Sequence, residues 1–137
     1  MKPRRVGIWL IGAFGGVGTT VALGLAALRK GLIPETGLVT GLEMLRGLDL
    51  DAPASFIVGG HDIRQTDFLQ TVREFQQRSN VFDSVLVEPC VDQLEEWAEN
   101  VRPGTVLNAG ETIARMAELT GVHATDTPRG VMERIQK

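Results

Sequence analysis

Residues 12 to 20 read Gly12-Ala13-Phe14-Gly15-Gly16-Val17-Gly18-Thr19-Thr20. An anion approaching a helix N-terminus needs bare backbone N–H groups and no Cβ in the way, which glycine supplies. Glycines at 12, 15 and 18 give G-x-x-G-x-x-G, a variant of the dinucleotide fingerprint G-x-G-x-x-G. No Gly-Lys-Ser/Thr follows, so the segment is not a P-loop. A glycine-rich packing turn that binds nothing has the same composition; an apolar strand before it and a helical pattern after it favour the phosphate reading. Asp62 is the second candidate. A carboxylate at the end of the second strand accepts bonds from the adenosine ribose hydroxyls, and an acid there favours NAD over NADP. Asp62 lies well beyond the ~20-residue interval of the ordinary fingerprint, so a long insertion must separate helix from strand. Two counter-readings stay open: Arg64 can bind a ribose phosphate, and Asp62 also suits a turn or a cap.

The remaining reactive side chains form no constellation. His61 and His123 are far apart and neither has metal-ligand spacing around it. Cys90 follows Pro89 without an evident base and reads as a buried thiol. The carboxylates of Asp92, Glu95 and Glu96 suit a solvated helix face. Asn108 follows a candidate strand and is placed to face a ligand at the sheet's carboxyl edge. No residue is assigned a catalytic or metal-binding role.

Composition narrows the classes further. Fourteen basic residues against 17 acidic ones, a net charge of −3, exclude a dedicated nucleic-acid binder as the first reading. A single cysteine excludes a disulfide framework or a cysteine metal cage. Lysine occurs only at Lys2, Lys30 and Lys137. No charge interrupts Val6 to Leu28, and Lys2, Arg4 and Arg5 precede it, which superficially resembles a membrane span. Glycines crowd the middle of that stretch, and the apolar run before them is too short to span. A strand–turn–helix of a soluble domain is the better account.

The elements that must position these residues follow from pattern. Arg4 to Ile11 reads as the central strand of a parallel sheet. Thr19 to Lys30 reads as a helix, its basic end complementing the helix C-terminus. Gly41 to Gly47 suggests one short helix. Ala54 to Gly59 reads as the second strand, with Gly60 to Ile63 as the turn after it. Thr66 to Arg78 carries Phe68, Leu69, Val72 and Phe75 at helical spacing. Ser84 to Val87 fits either a strand or a helix start, and Asp92 to Val101 an acidic helix. Gly104 to Ala109 is a strand candidate, followed by a helix from Thr112 to Leu119. Thr127-Pro128 signals a last helix running to Lys137. The expected fold is α/β, a Rossmann-like doubly wound and mostly parallel sheet with helices on both faces. It is truncated in this expectation, because no strand follows the last helix.

The block Val6 to Thr20 (VGIWLIGAFGGVGTT), followed by Ile57 to Ile63 (IVGGHDI), resembles the myo-inositol-1-phosphate synthase family. Its members carry a strand, a glycine-rich loop ending in Gly and Ser/Thr pairs, and a later Gly-Trp-Asp-Ile signature. Gly12, Gly15, Gly18, Thr19 and Thr20 match the loop. Gly16 and Val17 stand where asparagines are common in eukaryotic members, and His61 replaces the tryptophan. The long interval before the acid is expected in this family, and the match thins after Asn80. The resemblance implies NAD as cofactor, held by Gly12, Ala13, Phe14, Gly15, Gly16, Val17, Gly18, Thr19, Asp62 and Ile63. It also implies an isomerase that oxidises glucose 6-phosphate, closes the ring by an aldol step and reduces the product with the same cofactor. In the family the cationic residues of that chemistry are mainly lysines of a later domain, and no segment here matches them. Residues 1–137 are therefore expected to be an N-terminal NAD-binding domain without its catalytic domain. A sugar phosphate substrate, a cytoplasmic location and self-association are expected, with neither membrane nor nucleic acid as partner. Two rivals remain: the cofactor domain of an NAD(P)-dependent dehydrogenase, and a non-catalytic NAD-binding or interaction module.

Overall fold

The computed structural model describes residues 4–118 and 127–136. Three parallel strands form one sheet in the order β1 (Val6–Ile11), β2 (Phe56–Asp62), β3 (Val101–Pro103). β1 pairs with β2 from Val6 opposite Phe56 to Ile11 opposite His61, and β2 pairs with β3 from Gly60 opposite Val101 to Asp62 opposite Pro103. The helices are α1 (Gly16–Arg29), α2 (Phe68–Ser79), α3 (Ser84–Val87), α4 (Val91–Ala98), α5 (Glu111–Arg115) and α6 (Pro128–Ile135). This is the parallel α/β arrangement of a Rossmann-like fold.

Both crossovers between strands move in one direction across the sheet, and right-handed crossovers then lay their helices on one face. The contacts agree: α1 touches α2 and α4, and α2 touches α4. The core lies between these helices and the sheet, around Leu23, Val58, Phe68, Val72, Leu94 and Trp97. α1 presents Gly18, Thr19, Ala22, Leu23, Ala26 and Ala27 to it, a stripe of mostly small side chains at helical spacing. Asp67 caps α2 by accepting the Gln70 N–H at 2.7 Å. Thr127 caps α6 by accepting the Gly130 N–H at 3.2 Å.

Several boundaries differ from the pattern-based expectation. β2, not β1, is the central strand among the described residues, and β1 accordingly alternates between half-buried and exposed positions. β2 continues through Gly60, His61 and Asp62, which the sequence places in a turn. Gly60 belongs in the ladder because a Cβ there would lie 2.1 Å from the Leu10 carbonyl oxygen. α1 begins at Gly16, three residues before its helix-favouring composition does. Gly41 to Gly47 gives two single 3₁₀ turns instead of one helix, Val39–Gly41 and Glu43–Leu45. Ser84 to Val87 resolves as helix. Gly104 to Ala109 is not a strand: β3 ends at Pro103, and Thr105 Oγ1 accepts the Leu107 N–H at 3.1 Å in a turn. α4 stops at Ala98, so Val101 opens β3. His123, Leu119 and the terminal residues Lys2 and Lys137 lie outside the described residues.

Candidate cofactor site

The chain leaves β1 at Ile11 and turns at once onto β2. Gly12 and Ala13 both donate to the His61 carbonyl, at 2.8 and 3.1 Å. Gly12 has φ +76°, a left-handed conformation suited to glycine, and open space where its Cβ would project. The Phe14 N–H donates to Asp62 Oδ2 at 2.7 Å, and the Gly15 N–H to the Gly12 carbonyl at 2.9 Å. All four N–H groups from Gly12 to Gly15 are thereby used within the chain. The amides of Gly16 and Val17, the next two, open α1 and have no intrahelical acceptor. Both residues are exposed, Gly15 offers no side-chain cap, and the first turn holds no acid. Gly18 lies beneath: a Cβ there would come 2.3 Å from the Ala13 carbonyl oxygen, so only glycine lets the helix start this close to the loop.

Asp62 closes β2 and is 4% exposed. Besides Phe14, it accepts the Ile63 and Arg64 N–H groups on Oδ1 at 2.8 and 2.9 Å. A carboxylate has about four acceptor positions, so one remains. Arg64 Nε lies 3.9 Å from Asp62 Oδ1, and the Arg64 guanidinium donates to the Phe14 carbonyl. Thr71 of α2 donates to the same carbonyl at 3.2 Å.

Beside the loop runs a cleft of about 470 Å³ at the carboxyl ends of the three strands. Ile11, Gly12, Asp62, Ile63, Gly104 and Thr105 are among its walls, with Trp9, His61 and Ile135 completing them. This is where ligands bind in open parallel sheets. His61 is buried, its Nδ1 hydrogen donates to the Pro103 carbonyl at 3.1 Å, and its ring meets Trp9 edge-on at 5.3 Å. It is a structural prop of the cleft wall.

The sequence-derived residues fall into two groups. Gly12, Gly15, Gly16, Val17, Asp62 and Ile63 border the loop surface or the cleft. Ala13, Phe14, Gly18 and Thr19 are buried behind it, Phe14 packing edge-on against Phe68 at 5.0 Å. Thr105, Gly104 and Thr71 escape sequence reasoning. The first two follow a three-residue strand too short to show periodicity, and Thr71 is one polar residue on the buried side of a helix. Cys90 is fully buried, and its burial pushes the thiol pKa up, partly opposed by Lys30. Asn108 is exposed at φ +58°, outside the cleft wall. Among the described residues no group of three His, Cys, Asp or Glu could hold a metal, and no helix is long and apolar enough to cross a membrane.

A parallel sheet, a glycine loop leading into a helix and an acid at the end of the second strand define a dinucleotide-binding α/β domain. The family model described as myo-inositol-1-phosphate synthase, an NAD-binding one, matches residues 6–117. The chain belongs to this family, and its cofactor is NAD. No curated protein matches the sequence.

Proposed function

We propose that residues 1–137 form the NAD-holding domain of an inositol-3-phosphate synthase-like isomerase acting on glucose 6-phosphate. One observation supports the placement of the cofactor above others. Gly12, open and left-handed, borders the cleft, and four residues on the amides of Gly16 and Val17 open α1 without an intrahelical acceptor. A pyrophosphate there receives two N–H donors and the positive end of α1. The adenosine half then lies in the cleft lined by Asp62, Ile63, Gly104 and Thr105, with the remaining acceptor position of Asp62 turned to a ribose hydroxyl. Ala13, Phe14, Gly18 and Thr19 support this loop from beneath. When bound, NAD supplies a hydride acceptor, and its reduced form a hydride donor.

Such a conversion needs cationic groups near a sugar phosphate, and in this proposal the lysines that supply them belong to a later domain, since the sequence has lysine only at positions 2, 30 and 137. Incubating the purified chain with NAD and glucose 6-phosphate tests the assignment. The expected outcome is bound NAD and no inositol phosphate. Cyclisation by these residues alone would contradict it, and reduction of NAD by a simple alcohol would favour the dehydrogenase reading. A cytoplasmic location and self-association through exposed apolar residues such as Met132 and Ile135 belong to the same proposal. Val131, the apolar neighbour of Met132 in the sequence, is buried instead.

A further inference from the structure

Arg64 follows the carboxyl end of β2 by two residues, where a 2′-phosphate would lie, and its side chain is turned back onto the loop. Its guanidinium donates to the Phe14 carbonyl and stands 3.9 Å from Asp62 Oδ1. Thr71 donates to the same carbonyl at 3.2 Å, while Asp62 takes the Phe14 N–H at 2.7 Å. The peptide groups on both sides of Phe14 are therefore gripped, one by an acid and the other by a cation and a hydroxyl. The Phe14 ring, buried against Phe68, anchors the same residue from a third direction. Phe14 lies midway between Gly12 and Gly16, so fixing it fixes the distance between the open glycine and the first free amide of α1.

We propose that Arg64 is a positioning residue, which with Asp62 and Thr71 latches the cofactor loop through Phe14, and that it does not read the ribose 2′ position. The proposal rests on the placement of NAD given above. An Arg64 that swung out to a 2′-phosphate would leave the Phe14 carbonyl to Thr71 alone and bring the phosphate beside the Asp62 carboxylate. Both consequences oppose that movement. Held in the latch, Arg64 supports the loop that either nucleotide would meet and contributes nothing to the choice between them.

The test combines NAD and NADP titration calorimetry with amide hydrogen exchange of the cofactor-free chain, on wild type, Arg64→Gln, Arg64→Lys and Thr71→Val. Loss of a charge-assisted hydrogen bond predicts NAD binding about tenfold weaker in Arg64→Gln. NADP binding should weaken by the same factor, leaving the ratio unchanged. Exchange at the Phe14 amide should accelerate while that of Leu23 and Val58 does not. Arg64→Lys, which still carries a donor, should recover part of both effects, and Thr71→Val should reproduce them more weakly. Selective loss of NADP affinity in Arg64→Gln, with NAD binding intact, would overturn the proposal. So would unchanged Phe14 exchange. NADP binding too weak to measure even in wild type supports it, because a phosphate-reading Arg64 requires that binding. If wild type binds neither nucleotide the cofactor placement fails, and the exchange data still decide whether the latch exists.

Discussion

Trp9 and Trp97 are the only tryptophans, and they sit in opposite environments. Trp97 is fully buried in the core, whereas Trp9 is 56% exposed on the wall of the cleft beside Gly12. Binding of NAD in that cleft should quench Trp9 emission, and Trp9→Phe should abolish the change while Trp97 emission persists. A fluorescence change that survives in Trp9→Phe would place the nucleotide elsewhere. Much of this residue-level chemistry was legible in the sequence. Bare glycines at 12, 15 and 18 announce a close approach of backbone or ligand, and Asp62 falls at the end of β2 as its type suggests. Asp62 also holds the Ile63 and Arg64 N–H groups, the turn role that its residue type equally suits. What spacing could not show is its bond to the Phe14 N–H, which depends on how two strand ends meet, 48 residues apart in the chain.

At the scale of the element, the β1–β2 pairing decides whether the site exists. Gly60 faces Leu10 across the ladder, with room for a hydrogen and none for a methyl. Gly60→Ala should cost about 1–3 kcal/mol, as overpacking does, and should weaken NAD binding because Asp62 lies two residues further along the same strand. Urea unfolding and NAD titration of the variant check both effects; wild-type stability would mean the two strands are not held this closely. The same glycine explains why the sequence reading ended β2 too early. A Gly-Gly pair normally signals a turn, but here it marks close backbone approach inside a strand. β3 was hidden for a different reason: three residues, one of them proline, carry no periodicity. The long amphipathic α2, by contrast, was read within two residues at its start and one at its end from its apolar spacing, and the Asp67 cap accounts for the later start.

At the scale of the molecule, the described residues pack one face of the sheet under α1, α2 and α4 and leave the other partly open. On the open side a cleft of about 430 Å³ runs over Gly7, Trp9, Ile57 and Gly59, with Ile135 of α6 at its edge. The glycine loop lies at the carboxyl end of this sheet, where the first crossover begins, so topology and composition converge on one location. The central claim is that this location holds NAD. Titration calorimetry of NAD into the wild-type chain and into Gly15→Val tests it most directly, since a side chain at 15 starts with its Cβ 3.0 Å from the Gly12 carbonyl oxygen. The account predicts saturable one-to-one binding of NAD by wild type and at least about a tenfold loss in Gly15→Val, the equivalent of roughly 1.4 kcal/mol. Absence of binding by the folded wild type, or undiminished binding after the substitution, would contradict it.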